Sequence, residues 1–297
     1  MNQLVILSGK GGSGKTSVTG ALCSIIAADP DIHSLVLVDA DVDASNLELL
    51  IKPKRIHTED FSGGEVASID PDQCIACGKC KQACRFDAIS VQNNIFQVDP
   101  ISCEGCGLCK IVCPADAVSF TIQQNGHAYQ SDTAYGRLFH AELFPGSENS
   151  GKLVAKIRQQ AQEHAQKTQS NLIIIDGPPG IGCPVISTVT GASHALIVAE
   201  PSLSGIHDME RILETVTHFD VPAMVCINKY DIHPKGTVEI ETYCDKHKIP
   251  IIGKLPFDEK VTHSMINGQP ITTYYPVSET SQILHNFWGK IKTTLEL

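Results

Sequence analysis

Twelve cysteines occur in 297 residues, and eight of them fall into two strings of equal spacing. The first is Cys74, Cys77, Cys80 and Cys84; the second is Cys103, Cys106, Cys109 and Cys113, followed by Pro114. Each reads C-x2-C-x2-C-x3-C. In that spacing three thiolates wrap one face of an iron–sulfur cubane, and the fourth cysteine of each string reaches the other cluster. The pattern predicts two [4Fe–4S] clusters. Cys74, Cys77, Cys80 and Cys113 are the expected ligands of one, and Cys103, Cys106, Cys109 and Cys84 of the other. Zinc also takes C-x2-C pairs, but two complete strings in tandem suit it poorly. The first string departs from the second in ending Cys84-Arg85, without the proline.

A second constellation lies at the N-terminus. Residues 9–16, Gly-Lys-Gly-Gly-Ser-Gly-Lys-Thr, fit G-x-x-x-x-G-K-[ST]. They follow an apolar run at 4–7 and precede a helical stretch from about Lys15, the context that makes the motif a phosphate loop. Gly11, Gly12, Ser13, Gly14, Thr16 and Ser17 are expected to bind a nucleoside triphosphate through backbone amides and a helix N-terminus. Lys15 should reach its β- and γ-phosphates, and the Thr16 hydroxyl should bind Mg²⁺. Asp39, Asp41 and Asp43 follow the apolar run at 35–38, at a strand end where sheet ligands bind. Asp176-Gly177-Pro178-Pro179-Gly180 follows a third run at 172–175. Asn228-Lys229-Tyr230-Asp231 matches N-K-x-D, which reads guanine in GTPases; a helix N-cap is an equal expectation for Asp231.

The early Lys10 of the glycine loop makes it resemble the deviant Walker A loop of the MinD, Mrp and nitrogenase iron protein family of P-loop ATPases. The resemblance implies that Lys10 crosses a dimer interface to the partner's nucleotide, so that ATP joins two subunits. It implies a catalytic set of Lys10, Lys15 and Asp41. Asp41 would orient the attacking water, and Asp39 or Asp43 would hold Mg²⁺ through water. Residues 175–180 look like the Walker B and switch II element, with Asp176 a Mg²⁺ partner and Gly180 a sensor of the γ-phosphate. Asn228 would pack against adenine, which favours ATP over GTP. Cys183 stands where the nitrogenase iron protein has a ligand to a cluster shared between subunits. No clear second ligand accompanies it, although Cys226 and Cys244 stay open, and a small buried residue at a helix start is the favoured reading. Mrp-type cluster carriers have a C-x-x-C pair in the C-terminal half that this chain lacks. The cysteine strings resemble bacterial ferredoxins. Nearly the whole chain is thus similar to a P-loop ATPase of this family carrying an inserted 2[4Fe–4S] ferredoxin domain.

The elements that must position these residues are legible as short apolar runs, at 4–7, 35–38, 172–175, 195–198, 223–227 and 249–252, separated by helical stretches. That alternation predicts an α/β fold, a doubly wound and mostly parallel sheet, interrupted once by a small α+β module. The expected domains are residues 1–62 and 123–297 for the P-loop ATPase and 63–122 for the module. The module repeats with a period of 29: Asp70-Pro71 matches Asp99-Pro100, Gly78 matches Gly107, and Asp87-Ala88 matches Asp116-Ala117. Its core is expected at Ile75, Ile89, Ile101, Ile111 and Val118. A hairpin turning at Tyr135-Gly136 and a helix over 151–167 are predicted after it. Cys23 is expected in the core of the first helix. A last helix is predicted to face the sheet with Ile283, Leu284, Phe287, Trp288, Ile291 and Leu295.

A net charge of -10 without a basic cluster disfavours a nucleic-acid partner. No apolar run is long enough to span a bilayer, and the N-terminus lacks the charged region and cleavage site of a signal peptide. A cytoplasmic location is expected, where cysteines bind metal in preference to forming disulfides. The functional expectation is an ATP-hydrolysing switch, a homodimer in the ATP state or a heterodimer with a close relative. It would couple nucleotide to the two clusters for electron transfer to, or redox control of, a partner protein. Iron–sulfur assembly and donation is one alternative. A MinD-like positioning ATPase that uses its clusters as a sensor is another.

Overall fold

The computed structural model describes residues 1–147 and 149–297. The chain forms two compact units: Met1–Glu59, Ala128–Glu142 and Ser150–Leu297 make the first, Asp60–His127 and Leu143–Asn149 the second.

The first unit opens with β1 (Asn2–Ser8), whose residues 3–8 are all buried. An unbroken apolar run of this kind marks a strand covered on both faces. After the glycine loop come α1 (Lys15–Ala27), β2 (Val36–Asp39), α2 (Leu47–Ile51) and β3 (Lys54–Phe61), along which the chain passes into the second unit. That unit contains β4 (Gly64–Ile69), α3 (Lys79–Ala83), β5 (Ile89–Gln92), β6 (Ile95–Val98), α4 (Leu108–Ile111) and β7 (Val118–Gln123). The chain returns along β8 (Gly126–Asp132) and turns into β9 (Arg137–Leu143). Thr133 closes the turn, its hydroxyl oxygen accepting from the amides of Tyr135 and Gly136 at 3.0 Å. The rest alternates: α5 (Ser150–Lys167), β10 (Leu172–Pro179), α6 (Cys183–Val189), β11 (His194–Ala199), α7 (Leu203–His218), β12 (Ala223–Asn228), α8 (Pro234–His247) and β13 (Ile251–Leu255), ending with α9 (Glu259–Ile266), α10 (Ile271–Tyr274) and α11 (Glu279–Thr294).

The large sheet has the order β13-β12-β11-β1-β10-β2-β9-β8-β3. Every neighbour pair from β13 to β9 is parallel. Register matters more than count for the site. Ile6 lies beside Asp176, and Asp176 beside Asp39, so the loops leaving β1, β10 and β2 emerge side by side at one sheet edge. Of the face expected for the last helix, Leu284, Phe287, Trp288, Ile291 and Leu295 are each at most 5% exposed, whereas Ile283 is only partly buried against the same core. Its other anchors are polar, Trp288 Nε1 donating to Asp29 at 2.7 Å and Lys292 pairing with Asp29 at 2.8 Å. Among the described residues no helix is long and apolar enough to cross a membrane.

Within the second unit the 29-residue period reappears in the backbone. Left-handed φ values fall at Ala76 and Gly105, at Gly78 and Gly107, and at Asp87 and Asp116. Gly78 and Gly107 cap the two short helices. The Asp70 amide donates to the Ala117 carbonyl at 2.9 Å, and the Asp99 amide to that of Ala88 at 2.7 Å, so each half completes the other. The β4–β7 pair ends with Ile69 beside Val118; its repeat-related pair, β5–β6, begins with Ile89 beside Val98.

Three expectations need correction. Of the isoleucines assigned to the module core, Ile75, Ile101 and Ile111 are 64%, 82% and 80% exposed; only Ile89 and Val118 are buried. Ile75 and Ile101 lie in irregular segments just after the aspartate turns, where no sheet face covers them, and Ile111 ends a one-turn helix. The core is instead Cys80, Ile89 and Phe96, with Ile69 and Val98 against it. Second, α2 and β3 were not foreseen; seven of the eight residues of β3 are not buried, so the strand has no apolar alternation to read. Third, the apolar run at 249–252 gives a strand that starts only at Ile251 and runs on to Leu255.

Candidate functional site

The glycine loop between β1 and α1 opens onto a cavity of about 570 Å³. Gly11, Gly12, Ser13, Gly14, Lys15, Thr16 and Ser17 all line it. Gly14 has φ 92°, a conformation that favours glycine, and a Cβ there would displace the Asn228 amide, whose Nδ2 would stand 2.2 Å away. Asn228 holds the loop by donating to the Ser13 carbonyl at 2.8 Å, and Lys229 Nζ donates to that of Gly12 at 3.2 Å.

Beneath the loop one buried carboxylate organises three groups. Asp176 is 1% exposed. It pairs with Lys15 Nζ at 3.0 Å and accepts from the hydroxyls of Thr16 at 2.9 Å and Thr19 at 2.8 Å. A hydroxyl backed by a carboxylate at the mouth of a phosphate loop is a hard-oxygen donor set that suits Mg²⁺. Gly180, at φ 85°, closes the following loop by donating its amide to the Ser8 carbonyl at 3.1 Å.

The three carboxylates after β2 are placed differently. Asp39 is buried and spent on its own loop: it accepts from the Asp41 amide at 3.2 Å, the Ser45 hydroxyl at 2.6 Å and the Leu47 amide at 3.2 Å. Burial, and then the neighbouring Asp176, raise its pKa. Asp41 is half-buried and lines the cavity; burial raises its pKa against the pull of Lys15. Asp43 is exposed and is not among the lining residues. The structure thus turns one of the three, Asp41, toward the space a nucleotide would fill.

Lys10 does not line the cavity. Its ammonium lies on the segment after β11, 3.2 Å from Glu200 Oε1 and 2.8 Å from Ser202 Oγ. Asp231 also stays outside the cavity and is not a helix N-cap; it accepts the Phe257 amide at 2.7 Å, and His233 caps α8. Cys183 begins α6 as expected but is exposed, because Val185 takes the inward position of that first turn. Cys23, Cys226 and Cys244 are wholly buried, and burial raises all three thiols. Sequence reasoning missed Glu200, Ser202 and Ser45, and the far wall of the cavity, which includes Phe257, Val261 and Met265. No motif carries those residues; only the fold brings α9 to α1, where Ser17 reaches Met265.

In the second unit two hollows each gather four cysteines. One is lined by Cys74, Cys77, Cys80 and Cys113 with Ile69, Phe96 and Val118. The other is lined by Cys84, Cys103, Cys106 and Cys109 with Ile89, Val98 and Phe120. Each hollow takes three thiols from one string and the fourth from the other. Among the described residues no group of three or more His, Cys, Asp or Glu is gathered closely enough to hold a metal ion. Thiolate quartets around an apolar hollow are a soft donor set, which suits iron–sulfur groups better than hard cations.

The CobQ/CobB/MinD/ParA nucleotide binding domain matches residues 4–271. A Methanocaldococcus jannaschii protein, Uncharacterized protein MJ0578, is 35% identical over 98% of this chain and 96% of its own length. The septum site-determining protein MinD of Synechocystis sp. is 24% identical over 91% of this chain and 82% of its own. Among solved structures, MinD from Pyrococcus horikoshii complexed with Mg-ADP has a TM-score of 0.61 at 16% identity, covering 98% of this chain and 95% of that one. At that identity the likeness speaks for the fold, an α/β P-loop architecture with a mostly parallel sheet. The match along most of the chain, together with the 35% identical relative of equal span, makes this protein a member of the CobQ/CobB/MinD/ParA family of P-loop nucleotide-binding proteins.

Proposed function

We propose that the protein is a dimeric ATPase switch whose inserted unit, residues 63–122 by sequence, carries two [4Fe–4S] clusters for electron transfer to, or redox control of, a partner protein. The observation that carries the nucleotide half is the division of labour among charged groups. Lys15, Thr16 and Asp41 line the cavity, whereas Lys10, on the same loop, lies outside it. A lysine on the loop that does not line its own cavity suits a role at a second subunit's, once it leaves Glu200 and Ser202. Asp41 is the carboxylate in position to orient a water against a terminal phosphate, with Thr16 and Asp176 for Mg²⁺ and Asn228 beside the loop for the base. The cluster half is supported by the crossed thiol quartets of the two hollows.

Two variants test the nucleotide half. Lys10→Ala should bind MgATP with wild-type affinity, measured by calorimetry, yet stay monomeric with ATP in sedimentation velocity. Asp41→Asn should bind and dimerise but hydrolyse about 10²- to 10⁴-fold more slowly, the usual worth of a positioned base. Normal turnover in that variant would show the wrong carboxylate had been chosen.

The likeness to MinD structures favours one second reading, a positioning ATPase that uses its clusters as a sensor. Sustained ATP turnover with no electron acceptor present would favour it.

A further inference from the structure

The two thiol hollows are lined by matched positions of the 29-residue repeat, so a difference between them is a difference between matched residues. Most exchanges keep apolar character. Val118 in the first hollow corresponds to Ile89 in the second. Phe96 corresponds to Ala67 and Ala115 to Phe86, so each hollow keeps a phenylalanine from this pair of exchanges.

Ile75 and Glu104 break the pattern. Each follows the first cysteine of its string, and each lines its own hollow. Thiols aside, Glu104 alone among the described lining residues carries a charge. The backbone that bears it is held in place. Gly105 has φ 63°, and a Cβ there would stand 2.3 Å from the Glu65 carbonyl oxygen, so the turn lies tight against β4. Ala76, the matched residue after Ile75, takes the same left-handed step at φ 54°. The other charges within residues 70–87 that the repeat does not duplicate are Asp72, Lys79 and Arg85, where the second half has Ile101, Leu108 and Pro114. All three are exposed and line neither hollow.

We propose that Glu104 sets the two clusters apart in potential, holding the one bound by Cys84, Cys103, Cys106 and Cys109 below its partner. This rests on the reading of the hollows as [4Fe–4S] sites. Reduction adds one negative charge within a thiol quartet. A carboxylate that lines the quartet repels that charge, and an isoleucine does not. Glu104 is exposed, so water and salt screen part of the repulsion and leave the rest. An electron delivered from outside therefore settles first in the quartet beside Ile75. The quartet beside Glu104 fills second and gives up its electron first.

The test is an anaerobic potentiometric titration of the full chain with dithionite, followed by electron paramagnetic resonance. The wild type should show two one-electron waves. Glu104→Gln keeps size and removes charge. It should raise the lower midpoint by about three- to tenfold in the reduction equilibrium, tenfold being about 59 mV for one electron, and leave the upper midpoint in place. Ile75→Glu should lower the upper midpoint by a like factor, and it supplies the same test from the other hollow should Glu104→Gln lose iron. Arg85→Gln, which removes a charge outside both hollows, should move either wave less than Glu104→Gln does. A single wave in the wild type overturns the proposal. So does Glu104→Gln with its lower wave unmoved, or with the upper wave moved in its place. Wild-type protein that holds no iron overturns the cluster reading instead, so the two failures are told apart.

Discussion

Lys15→Ala is expected to weaken MgATP binding by about a hundred- to a thousandfold and to destabilise the empty protein as well. The binding loss follows from removing the loop's own cation in the cavity, on the proposal that it meets the β- and γ-phosphates, since charge-assisted bonds are about twice as strong as neutral ones. The stability loss follows from what remains. Asp176 is 1% exposed, and its remaining donors among the described residues would be the Thr16 and Thr19 hydroxyls. Breaking one side of a buried pair costs about 3–5 kcal/mol because the other charge is stranded. The double variant Lys15→Ala/Asp176→Asn separates the effects. Removing the stranded charge should recover most of the unfolding free energy in urea, while calorimetry should still find nucleotide binding lost. If Lys15→Ala binds MgATP within tenfold of the parent, the loop is not the nucleotide site.

The parts of this molecule that were legible in sequence are those whose physics is local. A glycine loop between an apolar run and a helix needs nothing distant to be recognised, and neither do cysteines at fixed spacing. Fully buried strands such as β1 and β10 announce themselves as unbroken apolar runs. What was not legible depends on register or on distant partners. Asp39, Asp41 and Asp43 are equivalent in a string; the fold separates them by turning Asp39 back onto Ser45 and the Leu47 amide, and by leaving Asp43 in solvent. Glu200 reads as the unremarked end of a strand until β11 is set beside β1, which brings Lys10 to it. Cys183 looks like a small core residue because its neighbours are Ile181 and Val185; helix phase alone puts it outside. The isoleucines of the module failed for the opposite reason. In so short a unit the thiol hollows occupy the interior that isoleucines fill elsewhere, so apolar character did not imply burial.

The cysteine variants carry the other large effect, because they test both the presence of clusters and the crossing of their ligands. Anaerobically isolated protein should contain about eight irons per chain, with matching sulfide and negligible zinc. The hollows assign Cys77 and Cys113 to one quartet, although they come from different strings. Cys106 and Cys113 come from the same string but line different hollows. The double variant Cys77→Ala/Cys113→Ala should therefore lose one cluster and keep the other intact, with about four irons and the electron paramagnetic resonance of one reduced [4Fe–4S] centre. Cys106→Ala/Cys113→Ala should injure both, leaving each hollow with three thiols and no undisturbed signal. If each string served its own cluster, the two outcomes would exchange places. The comparison is robust to modest instability, since both variants remove two thiols and one site, Cys113, is common to them. Colourless protein holding zinc in place of iron would remove the cluster half of the proposed function. The nucleotide half would stand, because the residues that line its cavity lie wholly in the first unit.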